Sequence, residues 1–164
     1  MKKIVYIAFS TFLIIWLNNC AGYKPIFSYE NINFEISDYS IKGNETLGKR
    51  IYYKLDNLSK SIKDKENKRS ITLTINVKKD KIATVKDSSG KVSEYKITLN
   101  TEVKIIDFFN NNKLLEDTLV ASTSYKVQSQ YSDTLNLENK SIDDLINNTY
   151  RDLLIKLTQT LSDK

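Results

Sequence analysis

The chain has 164 residues, with 25 lysines and arginines against 20 acids and no histidine. Without histidine there is no Ser-His-Asp triad and no imidazole metal site. A single cysteine allows no internal disulfide, and the glycines Gly22, Gly43, Gly48 and Gly90 are too dispersed for a phosphate-cradling loop. The formal charge of +5, which includes Lys2 and Lys3, permits an anionic partner without requiring one and gives no reason to expect nucleic acid.

Residues 1–19 read as an export signal. Lys2 and Lys3 precede an apolar run from Ile4 to Leu17, which is short for a permanent anchor, since a spanning helix needs roughly 20 apolar residues. The lone cysteine, Cys20, stands where cleavage is expected. Leu17-Asn18-Asn19-Cys20 resembles a bacterial lipobox, although asparagines occupy positions where small residues are usual. That resemblance implies that the Cys20 thiol carries a diacylglycerol and forms the mature N-terminus. Ala21, rather than an aspartate, resembles an outer-membrane address. Acyl chains contribute about 0.8 kcal/mol per buried CH₂, so a triacylated terminus holds firmly to a bilayer. The alternative is an uncleaved N-terminal anchor with an unused thiol. Residues 20–31 then form a lipidated tether, in which Pro25 keeps Lys24 extended. Residues 32–164 are the length of one domain. A chain of this size buries roughly 68–70% of its unfolded surface and needs no covalent staple.

Within that domain, Ile32, Phe34 and Ile36 alternate with Asn33, Glu35 and Ser37, the period of a half-buried strand extending to Ile41. Gly43-Asn44 breaks it. Asn44 suits an N-cap and Glu45 a first helical turn. Leu47, Ile51, Leu55, Leu58 and Ile62 then follow steps of three and four, which predicts a helix from Asn44 to Ile62 with Tyr52 and Tyr53 at the edge of its stripe. Residues 63–68 are a charged loop.

Three more strands follow. Ile71, Leu73, Ile75 and Val77 share one parity. So do Tyr95, Ile97, Leu99, Val103 and Ile105, and in turn Leu115, Leu119, Ala121, Tyr125 and Val127. Ser88-Ser89-Gly90 and Asn110-Asn111-Asn112 are turn signals between them, so the three form an antiparallel meander. The segments are long, which predicts bulges or hairpin ends projecting beyond the sheet. A final helix is capped at Asn139 or Ser141, with Asp143 and Asp144 in its first turn. Its stripe is Ile142, Leu145, Ile146, Thr149, Tyr150, Leu153, Leu154, Leu157 and Leu161. The order β-α-β-β-β-α, with one apolar face per element, predicts an α+β two-layer sandwich. Both helices cover one face of a four-stranded sheet, and the other face is polar.

Cys20-Ala21-Gly22-Tyr23-Lys24-Pro25-Ile26-Phe27, then Ser124-Tyr125, Tyr131 and a long C-terminal helix carrying Tyr150-Arg151, resemble the LPS-assembly lipoprotein LptE family in its alphaproteobacterial form. The final helix departs from the family's alanine-rich pattern, being rich in Asn, Leu and Lys. The resemblance implies a non-enzymatic outer-membrane lipoprotein without a cofactor or metal. Such a protein faces the periplasm, plugs the β-barrel LptD, helps it assemble and assists delivery of lipopolysaccharide to the outer leaflet. A polar exterior suits a water-filled barrel lumen. Lysine pairs with phosphate as a point charge, which makes Lys78, Lys79, Lys81, Lys86 and Lys91 at the hairpin ends the candidate lipopolysaccharide phosphate contacts. Each also reads as an ordinary solvated loop residue. Two other classes stay open. One is a free lipid- or envelope-binding lipoprotein, which needs an apolar groove. The other is an enzyme using a carboxylate pair, which needs two acids on one wall of a cleft.

Overall fold

The computed structural model describes residues 33–62 and 68–162. The signal at 1–19, Cys20, the tether, Ile32 and loop residues 63–67 lie outside the described residues. The elements are β1 (Phe34–Gly43), α1 (Glu45–Ser61), β2 (Arg69–Lys86), β3 (Val92–Asp107), β4 (Lys113–Lys126) and α2 (Tyr131–Ser162). The four strands form one sheet in the order β1-β2-β3-β4. β2, β3 and β4 are the expected antiparallel meander. β1 pairs with β2 in parallel through the α1 crossover, so the sheet is mixed.

The alternation read along each strand becomes a set of rows across the sheet. Tyr39, Leu73, Ile105 and Leu115 are successive partners, as are Ile41, Ile75, Val103 and Asp117. These odd-numbered positions face the helices. On β1 the parity is interrupted. The register shifts between Ile36 and Asp38, a bulge at Ser37 that carries Tyr39 and Ile41 onto the face occupied by Phe34 and Ile36. Both helices lie on that face, and the core runs from Phe34 and Ile51 through Ile75, Leu99 and Ile105 to Leu145, Ile146 and Leu153. Thr72, Thr74, Asn76, Thr98, Glu102, Lys104 and Thr118 carry the opposite face.

α1 begins where its sequence indicates. The Leu47 N–H donates to Asn44 Oδ1 at 3.1 Å, and Glu45 occupies the first turn. Leu47, Ile51 and Leu55 are buried, while Tyr52 stacks on Tyr39 at 4.1 Å and Tyr53 stays exposed. α1 and α2 meet through an ion pair of Arg50 with Asp143 at 2.5 Å.

α2 differs from its expected start. It begins at Tyr131 and runs for 32 residues, so Asn139 and Ser141 are interior positions and cap nothing. The earlier start is fastened by tertiary contacts. The Gln128 N–H donates to buried Thr134 Oγ1 at 2.8 Å, and Glu138 binds the β2–β3 hairpin. That hairpin is the other late feature of the fold. β2 outlasts β1, whose last partner is Val77, and continues paired with β3 to Lys86, with register shifts near Val85. The projecting arm is largely exposed and gives α2 something to pack against beyond the four-stranded core.

Candidate ligand groove and docking face

The projecting arm and the early turns of α2 enclose a groove of about 690 Å³. At its centre, Lys81 Nζ donates to Glu138 Oε2 at 2.5 Å, and the Tyr125 hydroxyl donates to the same oxygen at 2.8 Å. Lys81 also sits over the Tyr95 ring at 4.5 Å and the Tyr125 ring at 5.5 Å. Burial alone would lower the Lys81 pKa, but hydrogen bonds with Glu138 and Tyr125 outweigh it and the ammonium is held above its usual range. Burial would likewise raise Glu138, and the same Lys81 and Tyr125 contacts pull it below the usual carboxylate range. The cluster is therefore a charged fastener between helix and hairpin.

The sign of its pH dependence follows. A depressed Glu138 stabilises the fold above its unfolded pKa, and that contribution is lost as pH falls through the lower folded value. A raised Lys81 stabilises below its unfolded pKa, and that contribution is lost as pH rises through the higher folded value. The fastener should hold across neutral pH, loosening below about 4 and above about 10.5. Glu138→Gln removes the charge but keeps the shape. It should cost about 1–2 kcal/mol, a charged hydrogen bond discounted for partial exposure. Hydrogen exchange checks this: amides of 131–141 should exchange faster in the variant while those of 145–157 keep their protection.

The structure divides the sequence-derived lysines. Lys79, Lys81 and Lys91 line the groove. Lys78 is paired with Asn100 on the opposite sheet face, and Lys86 stands at the tip opposite Val92; neither lines the groove. Lys81 is committed to Glu138, which leaves Lys79 and Lys91 as the groove lysines without a printed ion pair. Apolar wall is supplied by Leu135 and Ile142, with Tyr131 at the rim. Strand alternation gave no sign of Glu138. Helical spacing would have, because Thr134, Glu138 and Ile142 are four residues apart and continue the α2 stripe backward.

The polar face carries a second, shallower depression of about 560 Å³ containing Thr74, Asn76, Glu102, Lys104 and Thr118. Asn76 donates to Glu102 at 2.9 Å. Glu116 and Asp117 border it. Lys113 holds Glu116 below the usual carboxylate range, and Lys156 does the same for Asp117, so neither is poised as a general acid near neutral pH. Among the described residues no helix is long and apolar enough to cross a membrane.

No family model matches the chain, and no curated protein matches it in sequence. Solved structures do share its fold. Lipoprotein B from Nitrosomonas europaea superposes with a TM-score of 0.59 at 16% identity, covering 87% of this chain and 94% of that one. Rare lipoprotein B from Shewanella oneidensis gives 0.54 at 14% identity over 76% of this chain and 97% of that one. A minor lipoprotein from Acinetobacter baumannii gives 0.55 at 13% identity, over 78% and 93%. At these identities the likeness concerns fold: this chain folds as a group of bacterial lipoproteins does.

Proposed function

We propose that the protein is a non-catalytic, lipid-anchored lipoprotein of the outer membrane, held on the periplasmic side through Cys20. In this reading it docks by its polar sheet face in the lumen of an LptD-type β-barrel and assists lipopolysaccharide transport and barrel assembly. The observation that carries the reading is the sheet itself. One face is fully committed to the core, and the other is a broad polar surface of mixed charge. Such a face suits a wet lumen, where many weak contacts add up and no single charge pair dominates. The fold shared with rare lipoprotein B and the lipobox-like Cys20 support it. Lipopolysaccharide phosphates would be met in the groove by Lys79 and Lys91, with Lys81 behind them. Lys78 and Lys86 serve other surfaces.

The groove also favours a second reading, in which the protein binds an envelope lipid without any barrel. It combines basic and apolar walls and has the volume of a small-ligand site.

Two measurements separate these. Photocrosslinkers at Thr74 and Thr118 in native membranes should capture a β-barrel protein; if they never do, the plug reading falls and the free lipid-binding lipoprotein takes its place. Lys79→Gln with Lys91→Gln should weaken lipopolysaccharide binding at low salt by about 1–2 kcal/mol, or 5- to 30-fold, leaving barrel capture intact. Lys78→Gln with Lys86→Gln should change it little. Equal losses in both pairs would sink the groove assignment while leaving the docking face standing.

A further inference from the structure

The β3–β4 turn presents two adjacent phenylalanines to solvent. Phe108 is 44% exposed and Phe109 80% exposed, and their rings meet edge to face at 5.5 Å. Nothing in the core requires them. The turn is nevertheless firmly built. The Phe108 N–H donates to the Ser70 carbonyl at 3.0 Å, and Asn111 takes a positive φ of 57° to close it. Its one acid is consumed internally. Asp107 accepts from Arg69 Nε at 3.0 Å and from the N–H groups of Phe109 and Asn110 at 3.1 and 3.3 Å. The turn then continues through three neutral asparagines to Lys113, which pairs with Glu116. The tip is therefore apolar, rigid at its base and free of an unpaired carboxylate.

Its place in the fold matters as much as its chemistry. Asp107 pairs with Ile71, and Phe34 pairs with Arg69. The Arg69 N–H donates to the carbonyl of Asn33 at 3.0 Å. The turn thus lies at the end of the sheet where the N-terminal segment enters. The stretch from Cys20 to Asn33 can span up to about 45 Å. A tether of that length keeps the domain near a bilayer but does not orient it, and it makes even a weak second contact effective by raising its local concentration.

We propose that the Phe108–Phe109 turn is a membrane-contact tip, which seats this end of the domain in the headgroup region of the lipid surface that holds the N-terminal anchor. Exposed aromatic side chains without a neighbouring free acid suit that interface. Both sheet ends carry turns, but the distal one at Asp87–Lys91 is charged and lies about 50 Å away along β3. The domain therefore stands with its groove-bearing arm pointing away from the anchoring leaflet. The proposal rests on the lipid-anchor reading of Cys20.

The test uses the full acylated protein in vesicles of phosphatidylethanolamine and phosphatidylglycerol. With Cys20 acylated, a new cysteine is the only thiol. An environment-sensitive fluorophore at Asn110→Cys should shift to the blue and be quenched by nitroxide-bearing lipid. The same label at Ser89→Cys should remain aqueous. Replacing Phe108 and Phe109 together by serine should abolish the shift at position 110 while the protein still floats with the vesicles. A label at 110 that stays as aqueous as one at 89, on protein that floats, overturns the tip and leaves the anchor standing. Protein with an unmodified Cys20 that does not float overturns the anchor reading and the tip with it.

Discussion

Leu153→Asp should abolish cooperative folding. Leu153 is fully buried in the middle of the α2 stripe, beside Leu154 and Leu157 and beneath β3 and β4. Removing the leucine forfeits about 1.5–3 kcal/mol of burial, and an aspartate placed there without a partner costs several kcal/mol more, whether it stays charged or is forced to protonate. The sum is comparable with the whole stability of a typical domain, about 5–15 kcal/mol. The neighbouring Asn147 points outward and is exposed, so Asn147→Asp should stay within about 0.5 kcal/mol of the parent. Urea melts followed by circular dichroism distinguish the two. A wild-type midpoint for Leu153→Asp would show that α2 does not pack through this face.

Gly43→Ala should be the most costly of the small-residue changes. Gly43 closes β1 with a φ of +70°, a region where side-chain-bearing residues carry about 1–3 kcal/mol of strain. A β-carbon there would also stand 2.3 Å from the Val77 carbonyl oxygen and 2.8 Å from Asn76 Oδ1. The oxygen cannot yield easily, because the Asn44 N–H donates to it at 2.7 Å. That bond fixes the residue whose side chain caps α1. Relief of the clash would therefore disturb the strand end, the cap and the β1–β2 register together. Gly90→Ala isolates the backbone term: Gly90 has a φ of +84°, and nothing lies within 4 Å of its would-be β-carbon. Its loss should be the smaller of the two by at least about 1 kcal/mol. Equal losses in thermal melts would mean that the Val77 carbonyl exerts no steric demand.

Element type and facing were legible along the chain because they are encoded as local periods. The 3-4 spacing from Ile142 to Leu161 marks the buried stripe of α2 residue by residue, down to the buried Thr149. The single parity of Ile71–Val77, Ile97–Ile105 and Leu119–Tyr125 marks one core face and one polar face. Asn44 and Gly90 stand at a cap and a turn because their own chemistry suits those conformations, whatever surrounds them. The α+β sandwich follows from these periods, since each element has one apolar side to hide.

Long-range partnership was not legible. No periodicity in Tyr131–Lys140 shows that α2 starts ten residues before its apolar stripe becomes dense. That start depends on Thr134 and Glu138 finding Gln128, Lys81 and Tyr125. The bulge at Ser37 exists only because β1 must keep its apolar residues facing α1 while paired in parallel with β2. The groove shows the same limit. Five lysines that look alike in sequence are separated by pleat and twist: Lys79, Lys81 and Lys91 come to one side, Lys78 faces the other, and Lys86 stands at the tip. A period of two or of 3.6 records which way a side chain points from its own backbone. What it meets is set by the element packed opposite, and here that is decided by α2 reaching past the sheet to close against the β2–β3 arm.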